Sequence, residues 1–264
     1  MKTRLITIAL GALVMLAGCS RSEVAPDVTK FRLSARIEAD ATRTTFDSEG
    51  KFAWEAGDAV ALHLSTAGYA SASVDTDGDF TLTVPSGNTR DGYAIYPAAV
   101  AAGTAAAPSV TLPLAYSIVS DLSSTSAPLP MVAVNDPDSD ILYFHHVGGL
   151  MRITVATVPA GVRAVTVTLN GRRIAGTFTV DDPGTVTPTI STATVDAGDV
   201  VSFAVSEAGL STAATNVVLN LPVPCGTYES LTVDVTPTQS PFPKTITDNM
   251  VLDRAQGMQI KVTP

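Results

Sequence analysis

Two cysteines, three histidines and one tryptophan in 264 residues leave little material for several kinds of protein chemistry. So few cysteines exclude a disulfide framework, and the fold has to rest on its apolar core, for which the chain is long enough. His145 and His146 are adjacent, so on a strand they point to opposite faces and do not share a site. The chain has no Ser-centred nucleophile elbow, no His-x-x-x-His spacing and no phosphate-binding glycine loop. No catalytic residue, cofactor or resident metal is expected. Basic residues are scarce and scattered. Without Lys2 and Arg4, the 16 basic residues fall to 14 against 25 acidic ones, a net charge of −11. That surface lacks the basic stripe that phosphate neutralisation requires, so nucleic acid is not an expected partner.

The N-terminus is more informative. Lys2 and Arg4 precede an apolar run from Leu5 to Leu16, too short to span a hydrocarbon core about 30 Å thick, which reads as a secretory signal. The run ends in Leu16-Ala17-Gly18-Cys19, which resembles the lipobox of bacterial lipoproteins. Residues 1–18 are therefore expected to be a signal peptide and Cys19 the lipidated, palmitate-bearing mature N-terminus. Residues 19–28 are then a polar, Pro-interrupted linker that tethers the protein to the membrane. With Cys19 acylated, only Cys225 is left. It lies between apolar runs with no basic neighbour in sequence, and a packed, inert thiol is expected.

After the signal the hydrophobic period is two. Phe31-Arg32-Leu33-Ser34-Ala35-Arg36-Ile37, Val165 to Leu169 and Met258-Gln259-Ile260-Lys261-Val262 all alternate apolar with polar. Short Val- and Thr-rich strands between turn residues predict an all-β chain of Greek-key sandwiches. Asn170-Gly171 reads as the clearest hairpin, and Asp77-Gly78 and Asp182-Pro183-Gly184 as further turns. Ala98 to Ala107, interrupted by Gly103, reads as a surface loop. The Ser/Pro-rich and polar stretches that follow place a domain boundary near residue 140, giving sandwiches at 29–140 and 141–264. Asp75 to Asp79 and Asp136 to Asp140 alternate carboxylates without the calcium-loop Gly and Glu, and solvated turns are expected.

Five stretches, in this order, carry a family resemblance. They are Thr42-Arg43-Thr44-Thr45-Phe46 with Trp54-Glu55-Ala56-Gly57-Asp58; Tyr93-Ala94-Ile95-Tyr96-Pro97; Leu129 to Ala133; Phe144 to Ile153; and Arg163 to Gly176. Behind a lipobox, they resemble the fimbrillin-like lipoproteins of Bacteroidales, the group of major and minor fimbrial subunits. No distinctive export signal follows Cys19, and the last strand is generic.

The resemblance implies two transthyretin-like sandwiches and a surface location on the outer membrane or in a fimbrium. It also implies partners of like fold, possible host or glycan contacts, and assembly by donor-strand exchange after proteolysis. Phe31 to Ile37 then has the pattern of the strand to be lost, with Arg36 and Arg43 as candidate cuts. Met258, Ile260 and Val262 are the candidate donor face. On physical grounds Trp54 is expected in the first core with its N–H on a carbonyl, and Asp58 on backbone N–H groups; a sugar-binding Trp54 is the rival. The rival for the whole chain is a non-polymerising surface module that binds glycan or host protein.

Overall fold

The computed structural model describes residues 27–38, 53–118, 129–205 and 215–263, with backbone alone for 191–197. The signal peptide, Cys19, Arg43 and the Thr42 to Phe46 stretch lie outside the described residues. The described chain is all-β, as its period-two pattern predicts, and its sheets pack in layers around three apolar cores.

Seven strands make the first sheet, in the order β3 (Gly68–Ser73), β2 (Ala59–Leu64), β5 (Arg90–Tyr96), β9 (Met131–Val134), β10 (Ile141–His146), β1 (Val28–Ile37) and β4 (Asp79–Pro85). The outer strands β3 and β4 approach each other, so the sheet curls around its own core. In β4 the alternation is strict, with Phe80, Leu82 and Val84 buried between exposed residues. Leu33 and Ala35 of β1 are buried in the same core, with Phe31 and Ile37 packed beside them. A slip of one residue would send this whole set to solvent, so the pattern fixes the register.

The second core lies between a five-stranded and a three-stranded sheet. The first runs β19 (Lys244–Ile246), β18 (Ser230–Thr236), β12 (Ala164–Asn170), β15 (Val200–Val205), β8 (Ala115–Ile118). The second runs β16 (Thr215–Val223), β11 (Gly149–Val158), β21 (Gly257–Val262), and a two-stranded ribbon pairs β17 (Gly226–Tyr228) with β20 (Met250–Leu252). A four-stranded sheet, β14 (Thr189–Gly198), β13 (Ala175–Asp181), β7 (Pro108–Leu112), β6 (Ala101–Gly103), contributes Val110, Leu112, Phe178, Val180 and Ile190 to a third core. Ile95 and Val132 of the first sheet pack into that core, so it joins the two halves.

Strand pairing crosses residue 140 in both directions. β10, beyond it, completes the first sheet, while β7 and β8, before it, pair with β13 and β15. A strand joins whichever sheet offers free backbone groups, and composition does not report that choice.

Two local expectations change. Gly171 takes a positive φ of 100°, as an Asn-Gly turn requires, but β12 and β13 on either side of it belong to different sheets. The turn is a crossover, and Asn170 is spent on Ser230 Oγ at 2.6 Å. Asp182-Pro183-Gly184, by contrast, lies in a connection between strands that do pair with each other, β13 and β14. The Ala-rich tract is not a plain loop: Ala98–Val100 form a 3-10 turn and Ala101–Gly103 form β6, paired with β7.

Candidate assembly interface

The two terminal strands of the described fold are set in parallel beside consecutive strands. β1 runs parallel to β10, with Ser34 opposite Ile141 and Ile37 opposite Phe144, and antiparallel to β4 from Val28 to Ser34. β21 runs parallel to β11, with Leu150 opposite Gly257 and Val155 opposite Val262. Taking β1 away would leave a slot between β10 and β4, with unpaired backbone groups on both sides and an apolar floor. β21 lies at an open edge of its sheet.

The floor of the β1 slot is built from the resemblance motifs. The Trp54 ring is buried at 7% exposure and meets Tyr96 and Phe144 edge-on, at centroid separations of 5.1 and 5.8 Å. Its Nε1–H donates to the Ala35 carbonyl of β1 at 3.1 Å. Asp58 ties two motifs together: Oδ2 accepts the Glu55 amide at 2.9 Å and Oδ1 accepts the Tyr96 hydroxyl at 2.7 Å. Gly78, at a φ of 86°, closes on the same point, where a Cβ would overlap the Ala35 carbonyl oxygen and the Trp54 ring. So buried a ring leaves no face for a sugar, and Trp54 is a structural residue that grips β1.

Arg36 lies on the outer face of β1, 47% exposed, where its Nη1 donates to the Asp77 carbonyl at 2.5 Å and its Nη2 lies 3.9 Å from Asp79. Met258, Ile260 and Val262 share one face of β21, as their spacing predicts, but that face packs on the second core of the same chain, with Val262 buried. The strand is therefore a working part of its own half.

Sequence reasoning missed Glu38, which follows β1. Its carboxylate is 9% exposed. Oε1 accepts the His146 amide at 2.9 Å and Nη1 of Arg254 at 2.6 Å, and Oε2 lies 3.1 Å from His145 Nδ1. Both histidines thus reach one carboxylate, His145 by its ring and His146 by its backbone. Burial alone would raise the Glu38 carboxyl, but the bonds from Arg254, His146 and His145, with the Arg254 charge, hold it below its ordinary value. Glu38 and Arg254 stand 216 positions apart, and no local pattern marks either one.

Burial pushes the His146 imidazole down to about 4; the Glu38 charge opposes this shift, and Arg254 and His145 add to it. A base held neutral in the folded state contributes stability that is complete above its unfolded value of 6.5 and is lost as pH falls towards 4. The loss amounts to roughly 3 kcal/mol at about 1.4 kcal/mol per unit. Melting temperature is expected to fall steadily over that window, and His146→Gln should flatten the slope. An equally steep slope in the variant would remove His146 as the cause.

Asp75 Oδ1 accepts the amides of Asp77 and Asp79, and Asp136 Oδ1 accepts that of Asp138, so each closes its own turn. Cys225 is half-buried, and burial pushes its thiol up. The fold brings Arg254 and Arg172 near enough to oppose that shift, neighbours invisible in the local sequence, but burial prevails.

Compared with solved structures, the chain superposes on a Bacteroides ovatus protein described as a candidate cell adhesion protein. The match covers 89% of this chain and 92% of the other, at 15% identity and a TM-score of 0.52. The two share a fold. A Bacteroides uniformis protein of the same description matches at 14% identity over 89% of this chain and 93% of its own, with a TM-score of 0.42. The minor pilin of Streptococcus agalactiae matches at 9% identity over 88% and 94%, with a TM-score of 0.31. No family model and no curated protein matches the chain. The fold shared with the Bacteroides ovatus protein agrees with the all-β sandwich architecture expected from the sequence.

Proposed function

We propose that this chain is a lipid-anchored surface subunit of a fimbria or fimbria-associated adhesin, assembled by strand exchange after a proteolytic cut. The observation that carries the reading is the placement of β1. It is an interior strand with an alternating apolar face, seated in a slot whose floor is made by Trp54, Tyr96 and Phe144. A cut at Arg43 frees the whole strand, and one at Arg36 frees all of it but Ile37. An incoming strand with apolar residues at alternate positions satisfies the backbone groups and the floor together. The fold shared with the Bacteroides ovatus protein supports the same reading.

Purified mature protein treated with an arginine-directed protease is expected to form filaments visible by electron microscopy, and the Arg36→Ala/Arg43→Ala double variant is not. Filaments from the double variant would remove both sites from consideration. Cys19→Ser should abolish labelled-palmitate incorporation and release the protein from the membrane fraction; unchanged membrane partitioning would overturn the lipid anchor. The rival reading, a binding module that does not polymerise, draws on exposed Tyr143, Ile141 and Val134. Specific glycan-array binding by protein that never forms filaments would favour it.

A further inference from the structure

Glu38 connects the two strands on which the proposed assembly depends. On one side it directly follows β1, and its amide donates to the Phe144 carbonyl at 3.0 Å, prolonging the pairing with β10. On the other side its carboxylate holds Arg254, in the turn between β20 and β21. That turn is fastened to the corner joining β10 to β11: Arg254 Nη1 reaches the His146 carbonyl at 3.3 Å and the Ala255 amide the Gly148 carbonyl at 2.9 Å. The Leu150 amide donates to the Gln256 carbonyl at 2.9 Å. Both terminal strands therefore meet at one corner, and the Glu38–Arg254 pair spans it, with side-chain exposures of 9% and 21%.

We propose that the Glu38 carboxylate is a latch that keeps β21 seated on β11 until β1 has been removed. The inference rests on the reading above, in which β1 is lost and β21 is donated. Removing one member of a poorly hydrated ion pair strands the other charge, which is far more disruptive than never having had the pair. A chain cut at Arg43 loses Glu38 together with β1, which leaves the Arg254 guanidinium without this carboxylate and loosens the turn that starts β21. A chain cut at Arg36 keeps Glu38 on the body of the protein. The two candidate cuts thus differ in consequence: both empty the β1 slot, but only the cut at Arg43 also frees the donor. Opening of the acceptor and release of the donor become one event, and an uncut subunit keeps its donor strand folded away.

The test is amide hydrogen exchange on the intact, uncut mature protein, followed by mass spectrometry of peptides covering residues 257–262. Glu38→Gln is expected to speed exchange in that segment by about tenfold or more while β16 and β18 keep their protection. Arg254→Gln should do the same, and the double variant should add little to either single one, because each of the three breaks the same Glu38–Arg254 pair. Unaltered protection of β21 in a folded Glu38→Gln protein overturns the latch. If Glu38→Gln does not fold, Arg254→Gln leaves the carboxylate with His145 and the His146 amide, and the same measurement on that variant decides the question. The readout does not depend on polymerisation. A loosened β21 in a protein that never forms filaments after cleavage keeps the latch and overturns the assembly reading. Filaments from cleaved wild type, with β21 equally protected in wild type and variants, do the reverse.

Discussion

Trp54→Ala is expected to destabilise the protein by about 3–5 kcal/mol, the usual cost of emptying a buried aromatic site, and to free β1 before the rest of the fold. Two effects add. The ring fills the space between Tyr96 and Phe144, and its loss leaves a cavity at the floor of the slot. The Ala35 carbonyl of β1 also loses its Nε1–H donor, worth about 1 kcal/mol. Trp54→Phe keeps most of the packing and should recover most of the stability but not the grip on Ala35. Urea unfolding measures the first effect and hydrogen exchange over residues 28–37 the second. If Trp54→Ala cost less than about 1 kcal/mol of unfolding free energy, well under the usual range for such a site, the ring would not be a keystone of this core.

Removal of residues 257–264 is expected to have an effect of similar size, on the other half of the molecule. From local pattern alone, the truncation would yield a secreted monomer unable to polymerise, unless the strand belongs to its own domain's core. The structure meets that condition, because Val262 is buried and Met258 and Ile260 pack on the second core. Baring that core should cost on the order of 4 kcal/mol, counting one fully buried and two half-buried side chains. It also strips β11 of its parallel partner. The truncated protein should therefore melt well below wild type and form no filaments, and a synthetic peptide of residues 257–262 supplied in trans should raise its melting temperature. Filaments from truncated, folded protein would dismiss β21 as the donor. Failure of the peptide to bind would show that β21 needs its covalent attachment to seat.

Much of this was legible because a half-buried strand writes its burial into every second residue. The inward set of Phe31, Leu33, Ala35 and Ile37, and the shared face of Met258, Ile260 and Val262, follow from the period of two alone. Trp54 and Asp58 were readable by a different rule, since a large ring with one N–H and a carboxylate beside a turn each have few stable environments. The hairpin at Asn170-Gly171 was misleading for a reason of the same kind. The dipeptide reports a backbone conformation, which Gly171 does adopt, and says nothing about whether the flanking strands pair with each other.

What the sequence by itself determined is local: the all-β class, the alternation that sets which face of each strand is buried, and the turns that need Gly, Asn or Asp. Its motifs also carried the family resemblance. Only the tertiary structure decided which sheet each strand joins, that β10 closes the first sheet from beyond residue 140, and that β21 serves its own core. It alone brought Glu38 to Arg254 across 216 positions. The difference is physical. Alternation and turn conformation are imposed within a few residues, by the chain's own geometry. Strand pairing and a buried ion pair depend on surfaces that exist only once distant segments have folded against one another.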